Sequence, residues 1–344
     1  MDLLAWLQNL PEYPKIYWKE KNSRLAFAAA GLGPPSSSSY GWRHFSPTKA
    51  PHWADFPSPY SFSPRVSQTS ATLSSLSWTK PRIQSSAFLP TQPQWEKLVE
   101  HTLHAIAENR LEKCVLAREL LLNLQAPIDP WPLLSALQKK IQNAYLICIQ
   151  PTPRSAFISF TPEKLFSRTG NLLSTEALAG TQISTSHPRL SLAKYQHEFR
   201  LVETSIKQAL SSLSSSPLSF SPPSLRTTSG LKHLHSHLTT ALLPNISDEQ
   251  ILHALHPTAA LLGLPKSAAW NHLRLEPFDR GLYGAPLGRT TPTSSSWIVG
   301  IRSCLLFEST ARLYSGAGLV QGSDPTTEWE ELNDKLHLWK ELLF

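Results

Sequence analysis

The C-terminal segment constrains the fold more than any other part of the chain. Residues 312–320 alternate as a β-strand does, and they include Gly316 and Gly318. Asp324 and Pro325 follow, and they predict a helix start because aspartate caps a helix well and proline fits its first position. An apolar stripe with spacings of three and four indicates one helix to the C-terminus: Trp329, Leu332, Leu336 and Trp339. The segment therefore predicts a strand joined by a turn to a helix.

Three charged residues share a second face of this predicted helix. Glu328, Glu331 and Lys335 are spaced by three and four residues, so their side chains are neighbours. One interpretation is a solvated surface with a Glu331–Lys335 ion pair, which the spacing alone favours. The other is a Mg²⁺ site, with Lys335 holding an anion that the N–H groups of the nearby glycines approach. The rest of the chain has to decide between them.

Length and composition limit the class of protein. The chain has 344 residues and is 41% hydrophobic, which suffices for one large domain or two ordinary domains. No apolar run approaches the length of a membrane span, and the N-terminus lacks the basic start of a signal peptide. Cys114, Cys148 and Cys304 stand singly in apolar runs, which predicts buried thiols in a reducing compartment. We therefore expect a cytoplasmic protein without a membrane segment.

The net charge of +7 raises the question of nucleic-acid binding. Lysine and arginine are scattered along the chain, without a basic run or an RNA-binding signature. Nucleic acid is therefore not the expected partner, and the excess charge predicts a mild attraction for small anions.

Helices and strands are mixed without a regular βαβ order, which favours an α+β fold. Helices are predicted near residues 92–109, 130–142, 190–210, 247–256 and 264–273. Strands are predicted near residues 113–118, 145–149, 156–160, 164–168, 172–181 and 297–307, the last paired as a hairpin with 312–320. Residues 231–242 fit either a helix or a strand. Residues 34–92, rich in Ser, Pro and aromatics, fit either a loop-laden sheet or a low-complexity segment.

Two isolated charged residues each have a structural and a functional interpretation. Lys113 begins an apolar strand, where it is either a strand-edge charge or a buried lysine able to act as a base. Glu163 follows Thr-Pro in a bend, where it is either a turn carboxylate or a general acid. Taken singly, both residues are explained more simply by the structural interpretation.

Three histidines alternate along residues 231–242. On a strand, His233, His235 and His237 would share a face, which suggests zinc. No cysteine or acidic ligand follows at metal spacing, so a single histidine acting as a substrate hydrogen-bond donor is the favoured interpretation.

Taken together, residues 113–342 resemble the chorismate-utilising enzymes, which include isochorismate synthases, salicylate synthases, anthranilate synthase component I and aminodeoxychorismate synthase. The motifs that carry the resemblance are K-C-V-L-A-R (113–118), P-E-K-L (162–165), S-T-E-A-L-A-G-T (174–181), E-x3-V-x3-I from Glu198, K-H-L (232–234), H-P-T (256–258), R-G-L-Y (280–283), I-R-S (301–303) and G-A-G-L-V-Q-G-S-D-P-x2-E-W-x-E (316–331). P-K-I-Y-W-K (14–19) also looks like the opening of isochorismate synthases.

The resemblance implies a single α+β domain over residues 1–344, with two large antiparallel β-sheets packed as a sandwich and helices on the outside. Residues 1–92 would form a divergent N-terminal part, and residues 93–344 the catalytic part. The site would take one chorismate and one Mg²⁺. Glu198 and Glu331 match direct metal ligands, and Glu328 matches a ligand reached through water.

The same resemblance implies an acid–base pair. Lys113 matches the base that activates water for attack at ring C2, and Glu163 matches the acid that protonates the departing C4 hydroxyl. The positions that match substrate-lining residues are Gly180, Thr181, His233, Tyr283, Arg302, Gly316, Gly318 and Lys335.

Two positions separate the subfamilies. Water-using members carry lysine at position 113, whereas anthranilate synthases carry glutamine there. Aminodeoxychorismate synthases carry a lysine where this chain has Ala179. The resemblance therefore implies water as the nucleophile, no amidotransferase subunit, and a monomer or weak dimer. Isochorismate synthase is the favoured activity. The alternatives are a salicylate synthase, which would continue to salicylate and pyruvate, and a non-enzymatic binder of aromatic acids.

Overall fold

The computed structural model describes residues 1–34, 38–45, 50, 53–56, 58, 60–182, 192–228 and 231–344. Over these residues the chain forms two antiparallel β-sheets, one of ten strands and one of eight. Strands from the first hundred residues pair within both sheets, so the N-terminal part belongs to the same two sheets as the rest of the chain.

The ten-stranded sheet pairs strands from both ends of the chain. In spatial order its strands are β14 (Gly263–Leu264), β7 (Lys113–Leu124), β18 (Thr310–Leu319), β17 (Ser303–Phe307), β9 (Ser155–Thr161), β8 (Tyr145–Thr152), β1 (Lys15–Lys19), β2 (Ala26–Leu32) and β5 (Pro64–Ser70). β6 (Ile83–Leu89) pairs with the C-terminal half of β7. Of the predicted hairpin between residues 297–307 and 312–320, the part from residue 303 onwards is confirmed by the pairing of β17 with β18.

The eight-stranded sheet settles two segments whose structure the sequence leaves open. Its strands, in spatial order, are β12 (Ser224–Thr228), β13 (Leu231–Ala241), β11 (Leu172–Gln182), β10 (Lys164–Thr169), β16 (Ser294–Val299), β15 (Pro286–Thr290), β3 (Ser39–Trp42) and β4 (Tyr60–Phe62). Residues 231–241 are therefore a strand. Residues 34–92 supply strands to both sheets, as the loop-laden-sheet interpretation predicts.

The helices of the described part of the chain are α1 (Leu3–Asn9), α2 (Gln92–Ala107), α3 (Pro130–Lys140), α4 (Leu192–Leu210), α5 (Asp248–Leu255), α6 (Lys266–Leu273), α7 (Pro325–Lys335) and α8 (His337–Leu343). The side chains of Asp2, Asp129, Ser247 and Asp324 cap α1, α3, α5 and α7. The predicted cap of α7 is confirmed, because the Asp324 carboxylate accepts the Thr327 N–H at 2.8 Å. None of the helices in the described part of the chain is long and apolar enough to span a membrane.

Two apolar layers hold the molecule together. The larger one combines buried side chains of both sheets, such as Leu116 and Phe157 from the ten-stranded sheet and Leu173 and Ile298 from the eight-stranded sheet. The second layer lies between the other face of the ten-stranded sheet and helices α1, α3 and α8. Sheet packs on sheet and helices cover the outside, so the predicted α+β sandwich is confirmed.

The structure corrects two predicted elements near the C-terminus. The sequence predicts one strand over residues 297–307, but the chain forms β16 and β17, which belong to different sheets. Arg302, at the crossing, has a φ of 50°, which no strand residue can adopt. The single predicted C-terminal helix is two helices, because the Leu336 N–H bonds to the carbonyls of Asn333 and Asp334 and so ends α7.

An ion pair replaces a neighbouring strand along part of β7. Between the segments of β7 that pair with β14 and β6, the Glu276 carboxylate accepts the Ala117 N–H at 2.7 Å. The Arg280 guanidinium donates to the Val115 carbonyl, also at 2.7 Å. Glu276 and Arg280 are themselves 2.5 Å apart and buried. Their side chains thus satisfy backbone groups that would otherwise be buried without hydrogen bonds.

Breaking this ion pair is expected to destabilise the fold. Glu276→Gln leaves the Arg280 charge buried without its carboxylate, and such a loss typically costs about 3–5 kcal/mol. The free energy of unfolding measured in urea gives the value. Glu341→Gln is the matched control, since it breaks the exposed Lys140–Glu341 pair and should cost about 1 kcal/mol or less. Equal losses for the two variants would contradict the structural role of Glu276.

Candidate active site

One cavity lies where both sheets meet helices α4 and α7. It is lined by ten of the residues that the sequence singles out: Glu163, Glu198, His233, Tyr283, Arg302, Gly316, Gly318, Glu328, Glu331 and Lys335. These residues are far apart in the sequence. The folding of β13, β18, the β16–β17 crossing and the two helices brings them together.

The three remaining predicted residues lie on β7 and β11. Lys113, at the start of β7, is fully buried, and its Nζ lies 2.8 Å from the Glu198 Oε1. Gly180 and Thr181 lie on β11, where Thr181 pairs in register with His233. The surroundings of Gly180 and of the Thr181 side chain fall outside the described part of the structure.

Two lysines each form an ion pair with a carboxylate of the cavity. Lys113 pairs with Glu198 of α4, and Lys335 pairs with Glu331 of α7 at 2.5 Å. Lys335 also donates to the Gly316 carbonyl at 2.7 Å, which ties α7 to β18. The Glu331–Lys335 pair that the sequence suggests therefore exists, but it faces a cavity rather than open solvent.

Three carboxylates give one side of the cavity a negative potential. This potential acts on Tyr195 of α4, because burial and the charges of Glu331, Glu328 and Glu198 raise the pKa of its hydroxyl to about 12. Glu328 is almost fully buried. Among the described residues, no group of three histidine, cysteine or acidic side chains is already close enough to hold a metal ion. Two of the carboxylates contact lysines instead.

Glu163 is a further carboxyl group at the cavity, and its pKa is raised. It occupies the bend between β9 and β10, and only 8% of it is exposed. Burial, and next the charge of Glu176, raise its pKa to about 8, although Lys113, Lys21 and Lys335 oppose the shift. The raised pKa therefore favours the protonated carboxyl group of Glu163 at neutral pH.

A second set of polar groups at the cavity is of the kind that binds anions. Arg302 is buried, and its positive φ turns the backbone at the crossing between the sheets. Burial, Arg302 and Lys335 lower the pKa of His233 to about 3, so its ring is neutral. Tyr283 stacks on Tyr314 with ring centroids 5.4 Å apart. The cavity thus offers one guanidinium and neutral hydrogen-bonding groups beside its carboxylates.

Bare backbone at two glycines makes room for these side chains. A Cβ at position 318 would lie 2.4 Å from the Glu198 Oε1 and 3.1 Å from the Lys113 Cε. A Cβ at position 316 would lie 2.5 Å from the Tyr283 hydroxyl. Both distances to oxygen are too short for real contacts, so only glycine allows the observed packing.

Sequence reasoning missed several residues around the cavity. Tyr195, Ala260 and Leu261 line it, and Glu176 and Lys21 lie behind Glu163. Glu176 belongs to the quoted motif at residues 174–181, which could have drawn attention to it. Lys21 and Tyr195 lie in no motif that we recognised.

The alternating histidines of β13 do not form the zinc site that their spacing suggests. His235 lies 3.0 Å from the Glu176 carboxylate, and His237 lies 2.9 Å from the Ser174 hydroxyl. Only His233 lines the cavity. The role of one histidine as a substrate hydrogen-bond donor stays a prediction, and His233 is the histidine that this placement leaves as its candidate.

Comparison with known proteins identifies the class that this fold and cavity define. Residues 58–343 match the family described as chorismate binding enzyme. The chain belongs to this family, as its motifs predict.

Curated relatives are about one third identical to this chain over the residues that align. The chloroplastic isochorismate synthase of Catharanthus roseus is 33% identical over 293 residues, 81% of this chain and 50% of that protein. The isochorismate synthase MenF of Escherichia coli is 34% identical, over 72% of this chain and 59% of that protein. The salicylate biosynthesis isochorismate synthase of Pseudomonas aeruginosa is 32% identical over 76% of this chain and 56% of that protein. The chain thus spans about half the length of the curated relatives it matches.

Solved structures confirm the fold. The structure of MenF, the menaquinone-specific isochorismate synthase from Escherichia coli, superposes with a TM-score of 0.88 at 26% identity, and covers 100% of this chain and 92% of that one. The DhbC structure from Bacillus anthracis has a TM-score of 0.80 at 24% identity over 97% of this chain and 98% of that one. The second likeness bears on the fold alone.

The raised pKa of Glu163 predicts a pH-dependent cost in stability. Between an unfolded pKa of about 4.3 and the folded value of about 8, only the unfolded state releases the proton. Stability therefore falls as pH rises through this window, by at most about 1.4 kcal/mol per unit. Glu163→Gln lacks this fall, so its stability relative to the wild type should grow up to about pH 8 and then level off.

Urea unfolding at a series of pH values measures this difference. Glu112→Gln, which changes an exposed glutamate just before β7, is the control, and it should show no comparable trend. A constant difference between Glu163→Gln and the wild type across the whole range would mean that Glu163 is already ionised in the folded protein.

Proposed function

We propose that this protein is an isochorismate synthase that converts chorismate into isochorismate. One observation carries the proposal: a buried lysine and a carboxylic acid that stays protonated at neutral pH meet at one cavity that also contains acidic ligands and a guanidinium. This is the set of groups that an exchange of ring hydroxyls needs. The names of the curated relatives support the same activity.

The reaction adds a hydroxyl group from water at C2 of the ring and removes the hydroxyl group at C4. Water attacks C2 and gives a proton to a base, the ring double bond shifts, and the C4 hydroxyl leaves after accepting a proton from an acid. No redox change occurs, and water is consumed and released in equal amounts. The reaction is therefore an isomerisation that needs general acid–base catalysis.

Glu163 is suited to the acid role and Lys113 to the base role. The buried Glu163 holds a proton at neutral pH, and the bend between two strands fixes its position. The Lys113 amine is enclosed and forms an ion pair with Glu198 at the edge of the cavity. It must therefore release a proton before it can accept one from the attacking water. After one turnover Lys113 has gained a proton from water and Glu163 has given one to the leaving hydroxyl group. Both groups must exchange protons with solvent before the next turnover.

The remaining side chains suit a substrate with two carboxylates. Arg302 can bind one carboxylate through two parallel hydrogen bonds. Lys335 and the neutral ring of His233 offer further donors at the same cavity. The other proposed substrate contacts are Gly180, Thr181, Tyr283, Gly316 and Gly318.

The acidic residues fit a Mg²⁺ ion by their chemistry. Glu198, Glu328 and Glu331 supply the hard oxygen donors that Mg²⁺ prefers, and Tyr195 senses all three charges. When bound, the ion would neutralise and orient a ring carboxylate of the substrate. Lys113 and Lys335 balance two of these carboxylates in the described structure.

Two other functions remain as outcomes of the test. A salicylate synthase would continue from isochorismate to salicylate and pyruvate with the same residues. A binder of aromatic acids would not turn over chorismate at all. The relatives named for menaquinone and for salicylate formation share this framework, so the pathway that takes the product is a separate question.

Incubation with chorismate and Mg²⁺ near neutral pH tests the proposal. Isochorismate is the expected product by chromatography, without stoichiometric release of pyruvate in a coupled dehydrogenase assay. Lys113→Ala and Glu163→Gln should each lower kcat by about 10²–10⁴, the usual effect of a lost base or acid. Stoichiometric pyruvate would indicate a salicylate synthase, and no turnover would indicate a binder.

Metal dependence gives a second prediction. Chelation of divalent ions should abolish activity, and Mg²⁺ should restore it. Glu331→Gln should abolish activity at every Mg²⁺ concentration while thermal unfolding stays cooperative, because one of the proposed ligands is lost. Glu330→Gln changes the neighbouring, exposed glutamate of α7 and should retain activity. Unchanged turnover of Glu331→Gln at low Mg²⁺ would refute the metal assignment.

A further inference from the structure

The bend that carries Glu163 is held on its N-terminal side by a lysine from the first part of the chain. Lys21, just after β1, donates from its Nζ to the Pro162 carbonyl at 3.1 Å. The same Nζ donates to the Glu176 Oε1 at 2.8 Å. Only 11% of the Lys21 side chain is exposed, so water competes weakly for these hydrogen bonds.

The C-terminal side of the bend is held by the partner of that lysine. The Glu176 Oε1 accepts the Lys164 N–H at 3.1 Å. Its other oxygen, Oε2, lies 2.8 Å from the Arg226 Nη1 and 3.0 Å from the His235 Nε2. One ion pair therefore contacts the peptide groups on both sides of Glu163.

Strand pairing alone does not fix this bend. The register between β10 and β16 shifts between Lys164 and Phe166, directly after Glu163. The bend has two further hydrogen bonds, from the Glu163 N–H to the Thr161 hydroxyl and from the Val299 N–H to the Glu163 carbonyl. A register shift of this kind bends a strand and re-aims its side chains, so the contacts around the bend bear on the direction of Glu163.

We propose that Lys21 and Glu176 are positioning residues, which clamp the two peptide groups flanking Glu163 and so aim its carboxyl group into the cavity. The proposal rests on the proposed function in one respect, since it takes Glu163 as the acid of the reaction. The placement of the clamp itself does not depend on that function.

The clamp also surrounds Glu163 with charges of opposite sign. Glu176 and burial favour the protonated form of Glu163, whereas Lys21, Lys113 and Lys335 favour the ionised form. Glu163 also interacts electrostatically with Tyr283, since burial and, among other charges, that of Glu163 raise the pKa of that hydroxyl. Loss of Glu176 and loss of Lys21 should therefore shift the proton affinity of Glu163 in opposite directions, which a merely structural role would not do.

The experiment compares Glu176→Gln, Lys21→Met and Lys21→Arg in the full-length protein. Glu176→Gln keeps an oxygen for the Lys164 N–H but removes the charge, and Lys21→Met removes both hydrogen bonds of the lysine. Lys19→Met, two residues earlier on β1, is the matched control. The first readout is the midpoint of Glu163 titration, obtained from the pH dependence of unfolding with and without Glu163→Gln in each background.

We expect Glu176→Gln to lower this midpoint and Lys21→Met to raise it, each by about one unit, as neighbouring charges typically do. Lys21→Arg should stay near the wild type, and Lys19→Met should match it. The alkaline limb of kcat should move with the midpoint, and kcat should fall about tenfold or more for Lys21→Met while KM changes little.

Midpoints that stay unchanged, or that move in the same direction in both variants, would overturn the proposal. If Glu176→Gln does not fold, Lys21→Met and its rescue by Lys21→Arg decide the question. The unfolding measurement needs no turnover. A wild type that makes no isochorismate would therefore refute the proposed function, while the midpoints would still test the clamp.

Discussion

The antiparallel pairing of β7 with β18 is the interaction on which the site depends. Its register runs from Cys114 opposite Leu319 to Asn123 opposite Thr310, and it places the two glycines of β18 against the N-terminal half of β7. Because these glycines lack side chains, Glu198 and Tyr283 can approach the sheet closely. The same pairing puts Lys113 next to α4. Backbone hydrogen bonds thus determine the distances between groups that come from four separate segments.

Charge balance explains how so many ionisable groups can share a buried cavity. An isolated buried charge is costly, so each must be paired or neutralised. Lys113 and Lys335 are paired with carboxylates, whereas Glu163 avoids the cost by keeping its proton. A ligand with negative charge, or a divalent cation, would change this balance. Under the proposed function, substrate and metal ion would replace some of these internal ion pairs.

The sequence predicts the parts of the site that lie in local patterns and misses those created by tertiary contacts. The cap at Asp324, the glycines of β18 and the spacing of Glu328, Glu331 and Lys335 are local, and they indicate a strand, a helix and a shared face. Whether that face meets solvent or a cavity depends on α4, which no local pattern places. The continuous apolar run at residues 297–307 likewise conceals the crossing between the sheets, because both of its halves are buried.

The two glutamates around the bend illustrate how position decides chemistry. Glu176 is buried, which opposes ionisation, yet the hydrogen bond from His235 and the charges of Lys21 and Arg226 hold its pKa well below the usual range. Glu163, next to the Lys164 N–H that Glu176 accepts, has fewer compensating partners, and burial raises its pKa. Neighbouring carboxyl groups with opposite shifts are a common way to obtain one permanent charge and one proton donor. Lys21 contacts both the Pro162 carbonyl and the Glu176 carboxylate, so the N-terminal part of the chain supports the bend at a cavity whose lining residues lie beyond residue 112.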